Sequence, residues 1–257
     1  MNLRFVERSI VIPHERHKDV SYIKTIRVLQ QEFEETDSKT GEIKSQWRDV
    51  PLAMEGMNLF AKLEYDNPVG SIKDRAAYWI LKRAAERGEI CEGTTVIESS
   101  SGNFASALAA YTRLVGLQFI PVIDPNISGT YESILRRVCS TVVKVEERDD
   151  TGGFLKTRLQ KVKELCATIP NAYWTNQYGN PDAMEAHYEL TAMEICADFD
   201  SLDYVFIGVS TAGTISGVSR RLKEQYPNIR VIAVDAEGSA IFGRDQNAGL
   251  MKLDTRM

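Results

Sequence analysis

The sequence is poor in the residues that build metal and redox centres: four cysteines and three histidines among 257 residues, and neither set is grouped. Cys91, Cys139, Cys166 and Cys196 stand far apart with no C-x-x-C, which excludes a zinc ribbon or dithiol motif and leaves buried free thiols as the expectation. His14 and His17 share a charged N-terminal segment and His187 stands alone in a helical pattern, so no metal site is expected. Basic charge is scarce as well. The formal net charge is -5 and no stripe of Lys and Arg appears, which argues against nucleic acid as a partner. Nor is there an apolar run long enough to span a bilayer, and the opening MNLRFVERSIVIPHERHKD is broken by charges every few residues, unlike a signal peptide. The expectation is a cytoplasmic protein with no membrane partner. What is present, 43% hydrophobic residues, can build one large α/β domain or two smaller lobes.

The first fifty residues are polar, with SYIKTIRVLQQEF (21–33) patterned as a helix and ETDSKTGEIKSQ (35–46) as a loop. From about residue 58 short apolar runs alternate with amphipathic ones. NLFAKLEY, TTVIES, LQFIPVID and TVVKVEE read as strands, separated by helices that begin at SIKDRAAYWILKRAAERG. That alternation means parallel β-α units. A helix from FLKTRLQKVKELCATI, a polar junction WTNQYGNP, a helix from about Asp182 to Ala197, and a final strand, helix and strand complete the pattern. The polar junction near 171–181 is the best place for a lobe boundary.

Three loops carry polar groups of the kind that do chemistry. In NPVGSIKDR (67–75), Asn67, Pro68 and Gly70 make a turn, Ser71 can cap a helix starting at Ile72, and Asp74 completes a version of the capping box. Ile72, Ala76, Ile80 and Ala84 recur at intervals of four as a buried stripe, which leaves Lys73 in the first turn. There the helix dipole and Arg75 disfavour an ammonium, as a nucleophilic Schiff-base lysine requires; a solvated surface lysine is the plainer reading. The second loop, ESSSGN (98–103), sits between a strand and a helix, and its hydroxyls and N–H groups suit a carboxylate or simply cap the helix, Asn103 being a possible N-cap. The third, STAGTISG (210–217), follows the apolar strand YVFIGV and can close its backbone around a phosphate. Asp235 lies where a ribose-binding acid sits in dinucleotide folds, but the glycines match neither G-x-G-x-x-G nor a Walker A loop. A phosphate outside a dinucleotide fits better.

Taken in order, the three loops resemble fold-type II pyridoxal-phosphate enzymes of the cysteine synthase family, with their N-P-x-x-S-x-K-D-R-x-A, E-x-[ST]-S-G-N and G-T-G-G-T-x-x-G segments, over about residues 49–243. The resemblance implies an α/β fold of two lobes, like the β subunit of tryptophan synthase, with parallel sheets flanked by helices. It implies pyridoxal 5'-phosphate as cofactor, Lys73 as the catalytic lysine that holds it, and Asn103 beside its 3'-hydroxyl. Ser210, Thr211, Ala212, Gly213 and Thr214 match the phosphate cradle, while Ser99, Ser100, Ser101, Gly102 and Gln177 match groups around the substrate carboxylate. Residues 1–71 with 179–257 correspond to a larger phosphate-binding lobe and 72–178 to a smaller mobile substrate lobe. A homodimer acting on small amino acids goes with the family.

Finer stretches, among them VIDPNIS, AYWTNQY, the STAGT form of the cradle and AVDAEGSAIFG, look like one branch. That branch makes N-(2-amino-2-carboxyethyl)-L-glutamate from O-phospho-L-serine and L-glutamate, on the way to 2,3-diaminopropionate and siderophores. Cysteine synthase, from O-acetylserine or O-phosphoserine plus sulfide, is the alternative; its cradle normally has glycine where Ser210 and Ala212 stand. The sequence also stops soon after IRVIAVDA, short of the strand that supplies a hydroxyl to the cofactor's ring nitrogen. The usual T-P-L near the start appears as Val50 to Leu52. A non-catalytic binding module lacking its C-terminal part is therefore a further expectation.

Overall fold

A computed structural model describes residues 60–235, together with the backbone of three short strands nearer the N-terminus. Those strands are β1 (Tyr22–Lys24), β2 (Glu34–Thr36) and β3 (Ile43–Ser45). β1 pairs antiparallel with β4 (Phe60–Lys62), and β2 pairs antiparallel with β3. This corrects the helix expected over 21–33 at its start, and places a hairpin within the expected loop of 35–46. Antiparallel pairing satisfies the backbone N–H and C=O groups of these short strands, whatever the periodicity of the sequence around them. His14, His17, the segment Val50 to Leu52 and the residues after Asp235 lie outside the described part.

The chain divides into two units, residues 6–72 and residues 73–257 with the first five. In the larger unit α1 (Lys73–Glu86) leads into β5 (Thr95–Ser99), α2 (Asn103–Leu114), β6 (Gln118–Ile123), α3 (Gly129–Val138), β7 (Val143–Lys144), α4 (Leu155–Thr168) and β8 (Ala172–Trp174). The four strands form one parallel sheet in the order β7-β6-β5-β8. All five residues of β5 are buried. Such burial is what a parallel sheet covered on both faces demands, and at β5 it extends to the polar Thr95, Glu98 and Ser99 as well as Val96 and Ile97. Ile97, Ile120, Val122, Val145, Phe154 and Val162 make a core between sheet and α4. β8 falls inside the stretch taken from sequence as a polar junction; three residues carry too little periodicity to announce a strand.

Beyond β8 the chain runs through α5 (Pro181–Ala186), a π-helical turn (His187–Thr191) and α6 (Ala192–Asp198), which together occupy the span expected as one helix. Asn180 caps α5 by accepting the Asp182 N–H at 2.9 Å, with Pro181 as first helical residue. β9 (Tyr204–Gly208), α7 (Gly213–Gln225) and β10 (Arg230–Val234) follow, the two strands pairing in parallel. The thiols depart from expectation: all four are free, but Cys91 is exposed and the other three are only half-buried.

Candidate active site

The turn before Lys73 is organised by Asn67, whose Nδ2 donates to Glu64 O (2.8 Å), Glu64 Oε2 (2.7 Å) and Ser71 O (3.1 Å). Gly70 closes it with φ at 92°, a left-handed value that a side chain would disfavour. Helix α1 begins at Lys73, one residue later than the pattern suggests, with Ala76, Ile80 and Ala84 buried as expected.

A second stripe on α1 is polar. Arg75 clamps Glu194 of α6 with two bonds of 2.7 and 2.8 Å, Trp79 Nε1 donates to Glu185 at 3.0 Å, and Arg87 grips Asp182 at 2.7 and 3.2 Å. The partner numbers fall as the α1 numbers rise, so α1 lies antiparallel to the helical run of 181–198. The clamp nearest Lys73 is almost dry: Arg75 is buried, and Glu194 nearly so. Lys73 is itself half-buried, and burial lowers its ammonium pKa below the ordinary 10.5. The direction matches the sequence expectation. The cause is desolvation, where dipole and Arg75 had been expected to act.

His187 ties the π-helical turn to the third loop. Its Nε2 lies 3.1 Å from Thr214 Oγ1 and its Nδ1 3.0 Å from Thr191 Oγ1. Burial first, then the positive charges of Lys73 and Arg75, push its pKa down to about 3, so the imidazole is neutral. Helix α7 seats on this turn without clearance. A Cβ on Gly217 would stand 2.2 Å from Met184 O and 2.9 Å from His187 Cβ, so only glycine fits. Ala212 sits just before α7 at φ 65°, left-handed, and Gly213 then enters the helix. That alternation turns successive N–H groups toward one point, and the first N–H groups of α7 have no partner inside the helix. With the hydroxyls of Ser210, Thr211 and Thr214 beside them, the donors suit a phosphate.

The second loop is built around a carboxyl that sequence reasoning did not single out. Glu98 is fully buried at the end of β5 and accepts from Ser99 N (2.6 Å), Thr175 Oγ1 (2.6 Å), Gln177 N (3.0 Å) and Trp174 Nε1 (3.4 Å). Desolvation raises its pKa, with the four donors working against that. Gln177 Nε2 in turn reaches Ser99 O at 3.1 Å, so two groups predicted to share a substrate carboxylate meet. Ser99 Oγ is buried with no protein partner, the donor one would leave open for a ligand.

Ser100 Oγ accepts from Ala105 N at 3.2 Å and so serves as cap for α2, while Asn103 is already helical and takes a bond from the Tyr131 hydroxyl. Arg158 Nη1 reaches Ser101 Oγ at 3.3 Å, and its Nε lies 3.1 Å from Asp124 Oδ2 at the end of β6. The structure thus brings Ser99 together with Gln177, and Thr214 with His187. Ser101 and Asn103 are tied to residues outside the predicted set, while Ser210, Thr211, Ala212 and Gly213 share the α7 entry with Thr214. The second and third loops leave the carboxyl ends of parallel strands, β5 and β9, where open α/β sheets bind ligands.

The pattern of the pyridoxal-phosphate dependent enzyme family matches residues 43–255. The chain belongs to this family. Among curated proteins this pyridoxal-phosphate family member is 48% identical over 186 residues to the N-(2-amino-2-carboxyethyl)-L-glutamate synthase of Ralstonia nicotianae, covering 72% of the chain and 55% of that protein. Solved structures agree on the fold. The O-acetylserine dependent cystathionine beta-synthase of Helicobacter pylori superposes with a TM-score of 0.67 at 34% identity, over 72% of this chain and 60% of that one. An O-ureido-L-serine synthase gives 0.68 at 30% identity, over 75% and 60%. The fold is that of fold-type II pyridoxal-phosphate enzymes, and the chain spans a little over half the length of the curated relative it matches.

The family cofactor is pyridoxal 5'-phosphate, and the residues present fit it. A lysine with a lowered pKa answers an aldehyde, and the left-handed entry to α7 with its hydroxyls answers a phosphate.

Proposed function

We propose that this family member carries out β-replacement on O-phospho-L-serine, joining its β-carbon to the amine of L-glutamate to give N-(2-amino-2-carboxyethyl)-L-glutamate. One observation carries the reading: Lys73 is half-buried with its ammonium disfavoured, and its charge bears on His187, which lies 3.1 Å from Thr214 Oγ1 at the phosphate-suited entry to α7. The named relative at 48% identity supports the choice of substrates. When bound, pyridoxal phosphate supplies an electron sink for the charge left at the substrate's α-carbon.

The chain's own residues do the rest. Lys73 would hold the cofactor's aldehyde end and take the substrate's α-proton; a lowered pKa favours the free amine this needs. Ser99, Ser100, Ser101, Gly102 and Gln177 bind the substrate carboxylate, with Glu98 fixing the loop that Gln177 leans on. Arg158, paired with Asp124, donates to Ser101 Oγ and so steadies that hydroxyl. Asn103 lies beside the cofactor hydroxyl, and Ser210, Thr211, Ala212, Gly213 and Thr214 hold its phosphate. Inorganic phosphate leaves with the electron pair of the Cβ–O bond, the glutamate nitrogen bonds to Cβ and sheds one proton, and Lys73 returns its proton to Cα. Residues 72–178 act as the mobile substrate lobe and 1–71 with 179–257 as the phosphate lobe. A cytoplasmic homodimer serving 2,3-diaminopropionate and siderophore synthesis completes the reading.

The test is direct. Pyridoxal phosphate added to the protein gives a visible absorbance band that Lys73→Ala abolishes, and phosphoserine with glutamate releases inorganic phosphate and the adduct seen by mass spectrometry. Turnover with sulfide alone assigns the chain to cysteine synthesis. A band without phosphate release from any acceptor makes it a binding module.

A further inference from the structure

The neutral, buried imidazole at the π-helical turn has no part in the chemistry above, yet it touches the hydroxyl on which the phosphate reading leans. We propose that His187 is a positioning residue that donates through Nε2–H to Thr214 Oγ1, leaving the single Thr214 hydroxyl proton free to point at a phosphate held at the entry to α7. The proposal rests on the phosphate-cradle reading of residues 210–214.

The geometry leaves two arrangements. A threonine hydroxyl has one proton and two lone pairs, and a neutral imidazole has one N–H and one lone pair. If Thr214 donates to Nε2, its proton is spent inside the protein and an incoming anion meets lone pairs. If Nε2–H donates to Thr214, the proton is released toward the anion, and Nδ1 accepts from Thr191, which lies 3.0 Å away. Only the second lets Thr191, His187, Thr214 and an anion form one chain of donors in a single direction, each bond polarising the next.

The surroundings hold that arrangement. His187 is 1% exposed, so no water competes for either ring nitrogen. Gly217 removes the one side chain that would push α7 off the turn, keeping Thr214 within 3.1 Å of the ring. The π-helical turn itself displaces the backbone of 187–191 from regular α geometry, a distortion that proteins concentrate at functional sites.

Two measurements test this. In the full chain labelled with 15N-histidine, the imidazole signal that remains when His14 and His17 are replaced by Gln reads as the neutral Nε2–H tautomer; a neutral Nδ1–H tautomer or an imidazolium overturns the proposal. Affinities for pyridoxal phosphate and for pyridoxal, which has no phosphate, are then compared in His187→Gln and His187→Asn. The Gln amide reaches the place of Nε2 and the Asn amide that of Nδ1. Loss of a hydrogen bond to a charged group weakens pyridoxal phosphate on the order of tenfold to a hundredfold in the Asn variant, with pyridoxal unchanged and the Gln variant largely restored. Equal losses for both probes, or no difference between Gln and Asn, assign His187 a structural role only. Failure of the wild-type chain to bind pyridoxal phosphate is a different outcome and removes the cradle reading itself.

Discussion

At the scale of single residues, burial decides protonation. His187 has a folded pKa of about 3 against an ordinary 6.5, so between those values the unfolded chain binds the proton that the folded one refuses. Its contribution is therefore full above pH 6.5 and is lost as pH falls toward 3. Glu98 runs the other way: raised by burial, it contributes most at low pH, and that share fades as pH rises through its folded value. Urea melts from pH 7 down to pH 4 should show stability falling with a slope that His187→Gln reduces. Ala212 offers a second residue-scale prediction. An alanine at φ 65° costs about 1 kcal/mol relative to glycine, so Ala212→Gly raises the unfolding free energy read from urea melts by about that amount, and Ala212→Val lowers it.

At the scale of elements, the site depends on two close helix contacts. Gly217→Ala places a methyl 2.2 Å from Met184 O, which α7 relieves only by moving away from the π-helical turn. Overpacking of this kind costs about 1–3 kcal/mol or more, and pyridoxal phosphate affinity falls with stability because Thr214 moves too. The Arg75–Glu194 clamp behaves differently. Glu194→Ala leaves the Arg75 guanidinium buried without this partner, at a cost of about 3–5 kcal/mol read from chemical melts, whereas replacing both residues by apolar ones of similar size is far milder. Arg75 belongs to the same first turn as Lys73, so the single variant also blurs the absorbance band of the bound cofactor.

For the whole molecule, a bound cofactor counts toward stability by mass action. Pyridoxal phosphate at about one hundred times its Kd adds roughly 2.7 kcal/mol. For a chain of this size that is a rise in Tm of about 5–10 °C by calorimetry, much reduced in Lys73→Ala. Pyridoxal phosphate that leaves the Tm of wild type unmoved would argue that the described sheet and helices do not assemble the site.

Much of this was legible along the chain, and the reason is that local order follows local pattern. The apolar runs of β5 and β6, the four-residue stripe of α1 and the hydroxyl-rich turns at 98–103 and 210–214 depend on neighbours within a few residues, so periodicity and turn chemistry announce them. Short or polar elements escaped: β8 has three residues, and the N-terminal strands carry no apolar alternation. What only the tertiary structure decided is who meets whom. Arg75 and Glu194 are 119 positions apart, and Glu98 gathers donors from 77 and 79 positions away. Side-chain partners at such separations leave no trace in a periodic pattern, because a pattern records which face is buried and not what lies against it. His187 shows the limit most plainly: a lone histidine in a helix by sequence, it became the partner of both Thr191 and Thr214 once packing had stripped its water and set α7 against it.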